Sequence, residues 1–466
     1  MSFYDKILEN LPGVSKPEGR LTFKTKLIWT LIILIAFFLL QLVPLYGLGQ
    51  NALQTFELLS LILGAEFGSL ISLGIGPIVT ASIVLQLLNG SGIIKFDLQS
   101  HEGKSRFQGT QKILAVFFII FEAIIYVFFG GLAPAVELQG TSLFFTMEIV
   151  LVIQLIIGGI LIMLMDEVCS KWGFGSGLSL FIAAGVSKSV FVRALSPLPS
   201  PTNPELMTGA IPALFQSLLA GNPTEALLQL SGVVATVAVF AVAVYAQSMK
   251  VELPLSFGRV RGFGIRWPLN FLYTSNIPVI LVAALFANIQ LWARLLQNAG
   301  FPILGTFVGN TPASGLVAMI SAPNIIGTMI RQGTLFIGWQ QYFYALVYMI
   351  LLTVGAVVFA MFWVQTSGMD ARSQAKQIMN SGLSIPGFRK DERIFESILN
   401  RYINPLTVMG AIAVGLLAGF ADLSGALTNG TGLLLTVMII YKLYEDIARQ
   451  HMMDMNPMMR KFMGGE

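Results

Sequence analysis

Long apolar stretches recur along the chain, and polar segments that carry most of the charges separate them. A helix needs about 20 apolar residues to cross a bilayer, and several stretches reach that length only by extending into their flanks. Their lengths and the breaker residues between them predict ten spans. These cover approximately residues 27–43, 72–88, 113–132, 143–165, 178–191, 226–246, 271–291, 342–364, 406–420 and 433–443.

The stretch from Phe56 to Leu88 is apolar enough to cross a membrane, but it is interrupted in its middle. A short apolar run ends at Gly64, and the longer run behind it carries Gly74 and Pro77 in its first turns. Irregular backbone at membrane depth is tolerated only where it faces protein or a water-filled cavity. The pattern therefore predicts a short re-entrant helix folded back into a pore, followed by a pore-lining span.

The composition places the chain in the same class. Hydrophobic residues make up 55% of its 466 residues and charged residues only 11%, whereas about a quarter of a soluble protein is charged. Together with the spans, these values predict an all-α, polytopic membrane protein. The single cysteine, Cys169, excludes an internal disulfide.

The positions of the basic residues test the number of spans. If the N-terminus is cytoplasmic, 24 of the 28 lysines and arginines lie in inner segments, and only Lys188, Arg193, Arg294 and Arg331 lie outside. Cytoplasmic segments of membrane proteins carry an excess of basic residues, and adding or removing one span would destroy this bias. The charges therefore predict ten spans with both termini cytoplasmic.

Ten spans divide into two halves of five. Because five is odd, a second half enters the membrane from the opposite side, so the halves are related by an inverted pseudo-symmetry with a site between them. We expect an N-terminal half over residues 1–195 and a C-terminal half over residues 226–466. Residues 196–225, rich in Pro, Ser and Asn, form either the outer hinge between the halves or an ordinary surface loop.

Two inner loops, over residues 247–269 and 367–404, are longer and more basic than connectors need to be, and the second contains two helix-like runs. Arginines on such loops suit phosphate or acidic partners, because the guanidinium group pairs with two oxyanion oxygens at once. The loops are interpreted as a docking surface for a cytoplasmic machine that contains RNA. The alternative is that these charges only fix the topology.

Ionisable side chains are almost absent from the predicted spans, and Glu122 is the clear exception. An intramembrane carboxylate is costly, so Glu122 is a functional candidate; the alternative is a protonated group hydrogen-bonded to a neighbouring span. An ion-coupled transporter would carry several such groups. His101 and His451 are the only histidines and no phosphate-binding loop motif occurs, so we expect no metal site, no cofactor and no enzymatic activity.

Five motifs together resemble one known family. They are FELLSLILGAEFGSLISLGIGPIVTASIVLQLL at 56–88, GFGSGLSLFIAAGV at 173–186, WPLNFLYTSNIPVIL at 267–281, IPGFRKDERIFESILNRYINPLT at 385–407 and GTGLLLTVMIIYKLYE at 430–445. The chain resembles the SecY family, the large subunit of the Sec protein-conducting channel, and is most similar to its archaeal branch. The resemblance covers essentially the whole chain.

The resemblance implies a plug helix over residues 55–66 and a constricting ring of aliphatic side chains. The plug residues would be Thr55, Phe56, Glu57, Leu58, Leu59, Leu61, Ile62, Leu63 and Gly64. The ring residues would be Ile75, Val79, Leu178, Ile182, Ile277 and Leu435. Residues four apart share one helix face, so the pairs 75/79 and 178/182 would each point towards one axis.

The resemblance also implies a lateral gate between spans two and three on one side and spans seven and eight on the other. Thr80 and Glu122 would form a polar patch there, with Asn276 or Asn288 as partner. In the docking loops, the resemblance assigns contacts with a partner to Arg259, Arg261 and Arg389.

The function implied is a passive, gated pore in the cell membrane that passes unfolded polypeptides and releases hydrophobic segments sideways into lipid. The implied partners are the SecE and Secβ subunits, the ribosome and the signal recognition particle receptor, together with the signal sequence of the translocating polypeptide. Two alternatives remain from the residues alone: a secondary transporter with inverted repeats, and a scaffold or insertase without a pore.

Overall fold

The structure is a computed structural model, and it describes most of the chain. The described residues are 13–19, 21–51, 65–90, 93–94, 96, 100–199, 206–257, 264–274, 277–309, 311–334, 336, 338–380, 383–384, 391–428 and 430–455.

A helix coincides with each of the ten predicted spans. These helices are α1 (Phe23–Gln41), α2 (Gly76–Gly90), α3 (His101–Phe128), α4 (Ser142–Trp172), α5 (Gly177–Leu195), α7 (Pro223–Ser248), α8 (Ile277–Asn298), α11 (Trp339–Thr366), α13 (Glu392–Leu423) and α14 (Gly430–Met455). Eight helices in the described part are long and apolar enough to cross a membrane. The other two are α2, which has only 15 residues, and α14, whose apolar stretch gives way to charged residues from Lys442 onwards.

Shorter elements connect these helices. They are α6 (Ala210–Leu219), α9 (Gly315–Met319), α10 (Ile325–Gln332), α12 (Ala371–Asn380), a 3₁₀ turn (Val136–Leu138), and the strands β1 (Leu48–Asn51), β2 (Leu132–Pro134), β3 (Lys250–Phe257), β4 (Gly264–Asn270), β5 (Gly305–Val308), β6 (Thr311–Ser314) and β7 (Leu383–Ser384). Strands β1 and β2 pair with each other, as do β5 and β6, and β3 lies between β4 and β7; every pair is antiparallel. The sequence analysis predicted neither the β3–β4 hairpin nor α6.

The hydrophobic core joins the two predicted halves of the chain. One cluster of buried side chains receives residues from all ten spanning helices. Its members include Ile33, Val79, Ala115, Met163, Phe181, Ala246, Val282, Leu352, Val414 and Leu435. Large apolar side chains on the opposite faces, such as Ile35, Ile153 and Val237, are exposed and suit contact with lipid.

The broken second span has a defined backbone after the break. Residues 65–75 form a series of turns, and α2 begins only at Gly76, four residues later than the predicted start of the span. Gly68 and Gly74 have positive φ angles of 101° and 55°, which side chains with a Cβ adopt only with strain. The Ser72 hydroxyl accepts a hydrogen bond from the Gly68 N–H at 2.9 Å. This segment therefore has its own local structure between the break and α2.

Close packing against α4 fixes the same segment inside the bundle. A Cβ on Gly158 would lie 1.8 Å from the Leu70 carbonyl oxygen, and one on Gly159 would lie 2.7 Å from Ile119 and 3.4 Å from Leu73. Backbone bonds from Leu45 N–H to the Gly68 carbonyl (2.9 Å) and from Leu70 N–H to the Val43 carbonyl (2.8 Å) attach it to the end of α1. The two small residues on α4 are thus what lets an irregular segment lie among helices.

The two long basic loops, over residues 247–269 and 367–404, are joined by strand pairing. Ser256 and Phe257 of β3 pair with Ser384 and Leu383 of β7, so the first loop adds its hairpin to a strand of the second. A separate hydrophobic cluster lies beneath them and includes Leu269, Ala375, Phe395 and Leu399. The helix-like runs predicted in the second loop are confirmed as α12 and the start of α13.

Candidate functional site

A cavity of about 470 Å³ opens between α2, α3, α5, α8 and α11. Its polar lining residues lie at the end of α2, the start of α3, the junction of α4 with α5, and the end of α11, which all belong to one face of the bundle. They are Gln86, Lys104, Gln108, Gln111, Asp166, Ser176, Thr366 and Ser367. Two further polar lining residues, Ser82 of α2 and Ser179 of α5, lie close in sequence to the aliphatic lining residues. Towards the middle of the bundle the lining becomes aliphatic. The cavity therefore has a polar entrance and an apolar floor.

The structure places five of the six predicted ring residues on this cavity floor. They are Ile75, Val79, Leu178, Ile182 and Ile277. The sixth, Leu435 on α14, is 1% exposed. It belongs to the hydrophobic cluster that also contains Ile75, Val79 and Ile182, and Leu178 and Ile277 pack against that cluster. Both predicted halves thus contribute aliphatic side chains to this cavity floor and to the cluster around it.

Two further residues line the floor that the sequence analysis did not name. Ile280 and Leu281 follow Ile277 by three and four residues on α8, so all three lie on one face of that helix. This spacing was the signal available in the sequence. The spacing alone does not single out the cavity-lining face of α8, because neighbouring residues on its other faces, such as Val279 and Val282, are equally apolar and are also buried.

A polar group bridges α2, α3 and α8 beside the floor. The Asn288 amide donates a hydrogen bond to the Thr80 hydroxyl oxygen at 2.8 Å. That hydroxyl lies 2.8 Å from the Gly76 carbonyl oxygen and 3.4 Å from Glu122 Oε1, and it can donate its one proton to either. Thr80, Glu122 and Asn288 are all buried. The partner of Thr80 is Asn288, whereas Asn276 lies outside the described residues.

This polar group is incompletely hydrogen-bonded. Among the described residues, Glu122 Oε2 and Asn288 Oδ1 have no hydrogen-bond partner, and neither has the hydroxyl of Tyr126, one turn beyond Glu122. An unpaired buried polar atom costs roughly 1–3 kcal/mol. The network between α2, α3 and α8 therefore satisfies only part of the hydrogen-bonding capacity of its side chains.

The helices on the two sides of this seam are in contact. Helix α2 packs against α3 on one side and against α8 and α11 on the other. At its last residue, a Cβ on Gly90 would lie 2.3 Å from the Phe362 ring of α11. Only glycine therefore fits at this crossing, and the apolar contact closes the end of the seam.

Most of the predicted plug and all three docking arginines lie outside the described residues, namely Thr55 to Gly64, Arg259, Arg261 and Arg389. Glu66, the last residue of the predicted plug, lies 3.5 Å from the Lys188 ammonium group of α5, and this group also donates to Gln41 Oε1 at 3.2 Å. Strands β3 and β4 flank the loop that carries Arg259 and Arg261. The Lys250–Glu445 ion pair of 3.0 Å attaches that hairpin to α14.

Within the described residues, no group of three or more His, Cys, Asp or Glu side chains is arranged to hold a metal ion. Cys169 is buried, and its thiol donates to the Phe174 carbonyl oxygen at 3.7 Å.

Comparisons with known proteins agree on one family. A family model described as SecY matches residues 69–444. The chain is 46% identical over 465 residues to the protein translocase subunit SecY of Methanothermobacter thermautotrophicus, covering 99% of this chain and 98% of the relative.

Solved structures show the same similarity in three dimensions. A SecY channel structure, whose description states that the plug domain stabilises the closed state and maintains a membrane seal, matches with a TM-score of 0.81 and 41% identity over 96% of this chain and 97% of its own. Sec61 in the canine ribosome–channel complex matches with a TM-score of 0.78 and 40% identity over 96% and 97% of the two chains.

Proposed function

The chain belongs to the SecY family, and we therefore propose that it forms the pore of a protein translocase in the membrane, through which unfolded polypeptides pass. The observation that carries this proposal is the cavity with a polar entrance and an aliphatic floor. Water and an extended chain can enter the polar part, whereas an aliphatic constriction can lose its water and exclude ions. A pore that must stay sealed between passages needs both parts.

The constriction is formed by Ile75, Val79, Leu178, Ile182, Ile277 and Leu435. Their convergence from α2, α5, α8 and α14 supports this role, because a ring built from separate helices can widen when the helices move apart. The plug, at residues 55–66, would close the pore from the outer side. The turns of residues 65–75 and the Glu66–Lys188 contact support this placement, because they fix the segment at which the plug is attached.

The lateral gate is the seam of α2 and α3 against α8 and α11. Thr80, Glu122 and Asn288 support this assignment, because a partly satisfied polar network in an apolar seam is easier to separate than continuous apolar packing. Through this seam, a signal sequence or a hydrophobic segment would pass into lipid.

The arrangement in the membrane is proposed as follows. Both termini are cytoplasmic, as the basic residues predict, and the halves over residues 1–195 and 226–466 are joined by an outer hinge at 196–225. The core shared by all ten helices supports a site between the halves.

The cytoplasmic partner is the ribosome, which docks on the β3–β4 hairpin and the segment over residues 367–404. Their pairing through β7 supports one common surface, on which Arg259, Arg261 and Arg389 would contact RNA. The similarity to Sec61 in a ribosome–channel complex points to the same partner. The signal recognition particle receptor would use the same face, and SecE and Secβ would complete the channel in the membrane.

Crosslinking to an arrested chain tests the pore. In a Cys169→Ala background, which removes the only cysteine, single cysteines are placed at each of the six ring positions and at the exposed positions Ile35 and Ile153 as controls. A secretory precursor that carries a cysteine and is stalled during translocation should crosslink to ring positions and not to the controls. The proposal is wrong if the precursor crosses the membrane but contacts none of the six positions.

A further inference from the structure

Two aspartates occupy corresponding places in the two predicted halves. Asp166, near the end of α4, accepts the backbone N–H of Leu178 at 3.0 Å. Asp422, at the end of α13, accepts the backbone N–H of Thr431 at 2.6 Å. Leu178 and Thr431 are each the second residue of their helices, α5 and α14. Each carboxylate thus performs, from the preceding spanning helix, the task that an N-cap side chain normally performs for its own helix.

The first residue of each capped helix is a glycine in close contact with the helix that supplies the aspartate. A Cβ on Gly177 would lie 2.6 Å from the Asp166 Cα, and a Cβ on Gly430 would lie 2.1 Å from the Ala421 carbonyl carbon. Such distances exclude any side chain without a shift of the backbone. The hydrogen bond and the close contact together fix where each helix begins relative to its neighbour.

The two helices also carry ring residues at the same distance from that fixed point. Ile182 lies five residues after Gly177, and Leu435 lies five residues after Gly430. At 1.5 Å per residue, both ring residues are about 7.5 Å along the helix from the capped end. Helices α5 and α14 pack against each other. The height of each ring residue in the pore is therefore set by the cap of its helix.

The surroundings of the two carboxylates differ. Asp422 also accepts the Tyr348 hydroxyl of α11 at 2.5 Å and the hydroxyl of Thr431, so it links three helices. Asp166 also accepts the Ser176 hydroxyl at 3.3 Å and lines the cavity. Because successive spans alternate in direction, α5 and α14 run in opposite directions, and their capped ends approach the ring from opposite sides.

We propose that Asp166 and Asp422 are positioning residues of the pore constriction, which hold Ile182 and Leu435 at the height where the ring closes. This proposal rests on the proposed channel function. A negative charge at a helix N-terminus is favourable, and loss of an N-cap typically shifts an equilibrium by roughly fivefold, or about 1 kcal/mol. Loss of either cap should therefore raise the population of channels with a displaced ring helix, and with it the leak of ions, by roughly fivefold.

The test uses the full-length chain, purified with the subunits that accompany it and reconstituted in liposomes. Asp166→Ala and Asp422→Ala are compared with Asp166→Asn and Asp422→Asn, whose amide oxygen still accepts the helix N–H. The control is Thr22→Ala, which removes the Thr22 cap of α1, a helix without a ring residue. Ion leak is measured at equal amounts of folded protein, and thermal unfolding in detergent is followed in parallel.

The alanine variants should leak roughly fivefold more than the unaltered chain, whereas the asparagine variants and Thr22→Ala should stay close to it. If the alanine variants do not fold, Asp166→Ser and Asp422→Ser, whose hydroxyl is too short to reach the N–H, replace them. The proposal is contradicted if the alanine or serine variants leak no more than the unaltered chain. It is also contradicted if the asparagine variants leak as much as the alanine variants. If the unaltered chain translocates no precursor in these liposomes, the proposed channel function itself is wrong. This outcome differs from failure of the positioning role, in which the unaltered chain translocates but the variants do not leak more.

Discussion

At the scale of single residues, the Thr80 hydroxyl is the centre of the proposed gate. It accepts from Asn288 across the seam and lies within hydrogen-bonding distance of Glu122 on α3. One hydroxyl group thereby connects three helices. Its removal affects two buried groups, whereas most single substitutions in an apolar seam affect only packing.

Thr80→Val should weaken the closed gate. The change leaves the Asn288 amide and Glu122 Oε1 without this partner, and each unpaired buried group costs about 1–3 kcal/mol. We expect translocation of a precursor with a weakened signal sequence to rise by roughly tenfold in reconstituted liposomes. Thr146→Val is the matched control, because Thr146 is exposed on α4 and its hydroxyl bonds only to the Ser142 carbonyl of its own helix. Equal effects of the two substitutions would contradict the gate assignment.

Glu122→Gln should act in the opposite direction. The glutamine keeps the length of the side chain and adds an N–H donor to the buried group that also contains Asn288 Oδ1, an acceptor without a partner among the described residues. One additional hydrogen bond across the seam contributes about 1 kcal/mol. Translocation of the same weakened precursor should fall by roughly fivefold, while a strong signal sequence should be less affected. Unchanged signal-sequence selectivity would remove Glu122 from the gate.

At the scale of elements, the turns of residues 65–75 depend on a glycine of another helix. Gly158→Ala places a Cβ against the Leu70 carbonyl oxygen, where only a backbone shift can make room, and should lower the thermal unfolding temperature and raise ion leak. Gly185→Ala is the matched control, because a Cβ there meets nothing within 4 Å. Alanine favours a helix over glycine by about 1 kcal/mol, so the control should be neutral or slightly stabilising. A loss of stability in both variants, or in neither, would contradict this packing.

The elements also show where sequence patterns suffice. Apolar length and glycine or proline breakers predict all ten spanning helices, because the bilayer requires long apolar helices. The same signals place the break in the second span, but they begin α2 four residues too early. The turns at Ile71 to Gly74 are apolar and buried, so they resemble a helix in composition, and only the tertiary contacts with α1 and α4 keep them irregular.

At the scale of the whole molecule, the two long basic loops form one surface. The pairing of β3 with β7 could not be predicted, because more than 100 residues separate the two strands. Nothing in the charge pattern of either loop indicates the other loop as its partner. The same limit applies to the gate. Asn276 and Asn288 are equivalent candidates in sequence, and only the packing of α8 on α2 brings the amide of Asn288 to Thr80. The proposed ring residues came from the family motifs, because apolar periodicity alone does not distinguish them from the rest of the core.

Arg389→Glu should weaken ribosome binding. Replacement of a basic group at a phosphate contact removes one released counterion and adds repulsion, so affinity should fall and its dependence on salt should become less steep. Lys24→Glu is a control with the same charge change, on the exposed first turn of α1 and outside the common surface. Ribosome affinity is measured by cosedimentation over a range of salt. Equal losses for both variants would indicate a general effect of charge rather than docking at Arg389.

The thinness of the aliphatic floor sets the barrier that a passing chain meets. Ile75 and Val79 are separated by one turn, about 6 Å along the axis, whereas an extended chain advances about 3.3 Å per residue. About two residues are therefore stripped of water at any moment, at roughly 1–3 kcal/mol for each peptide group without a partner. Such a barrier is nearly independent of sequence and is crossed many times per second. A floor several turns thick would instead stall every polar segment. A channel that passes all sequences therefore needs an apolar floor that is short along the pore axis as well as narrow across it.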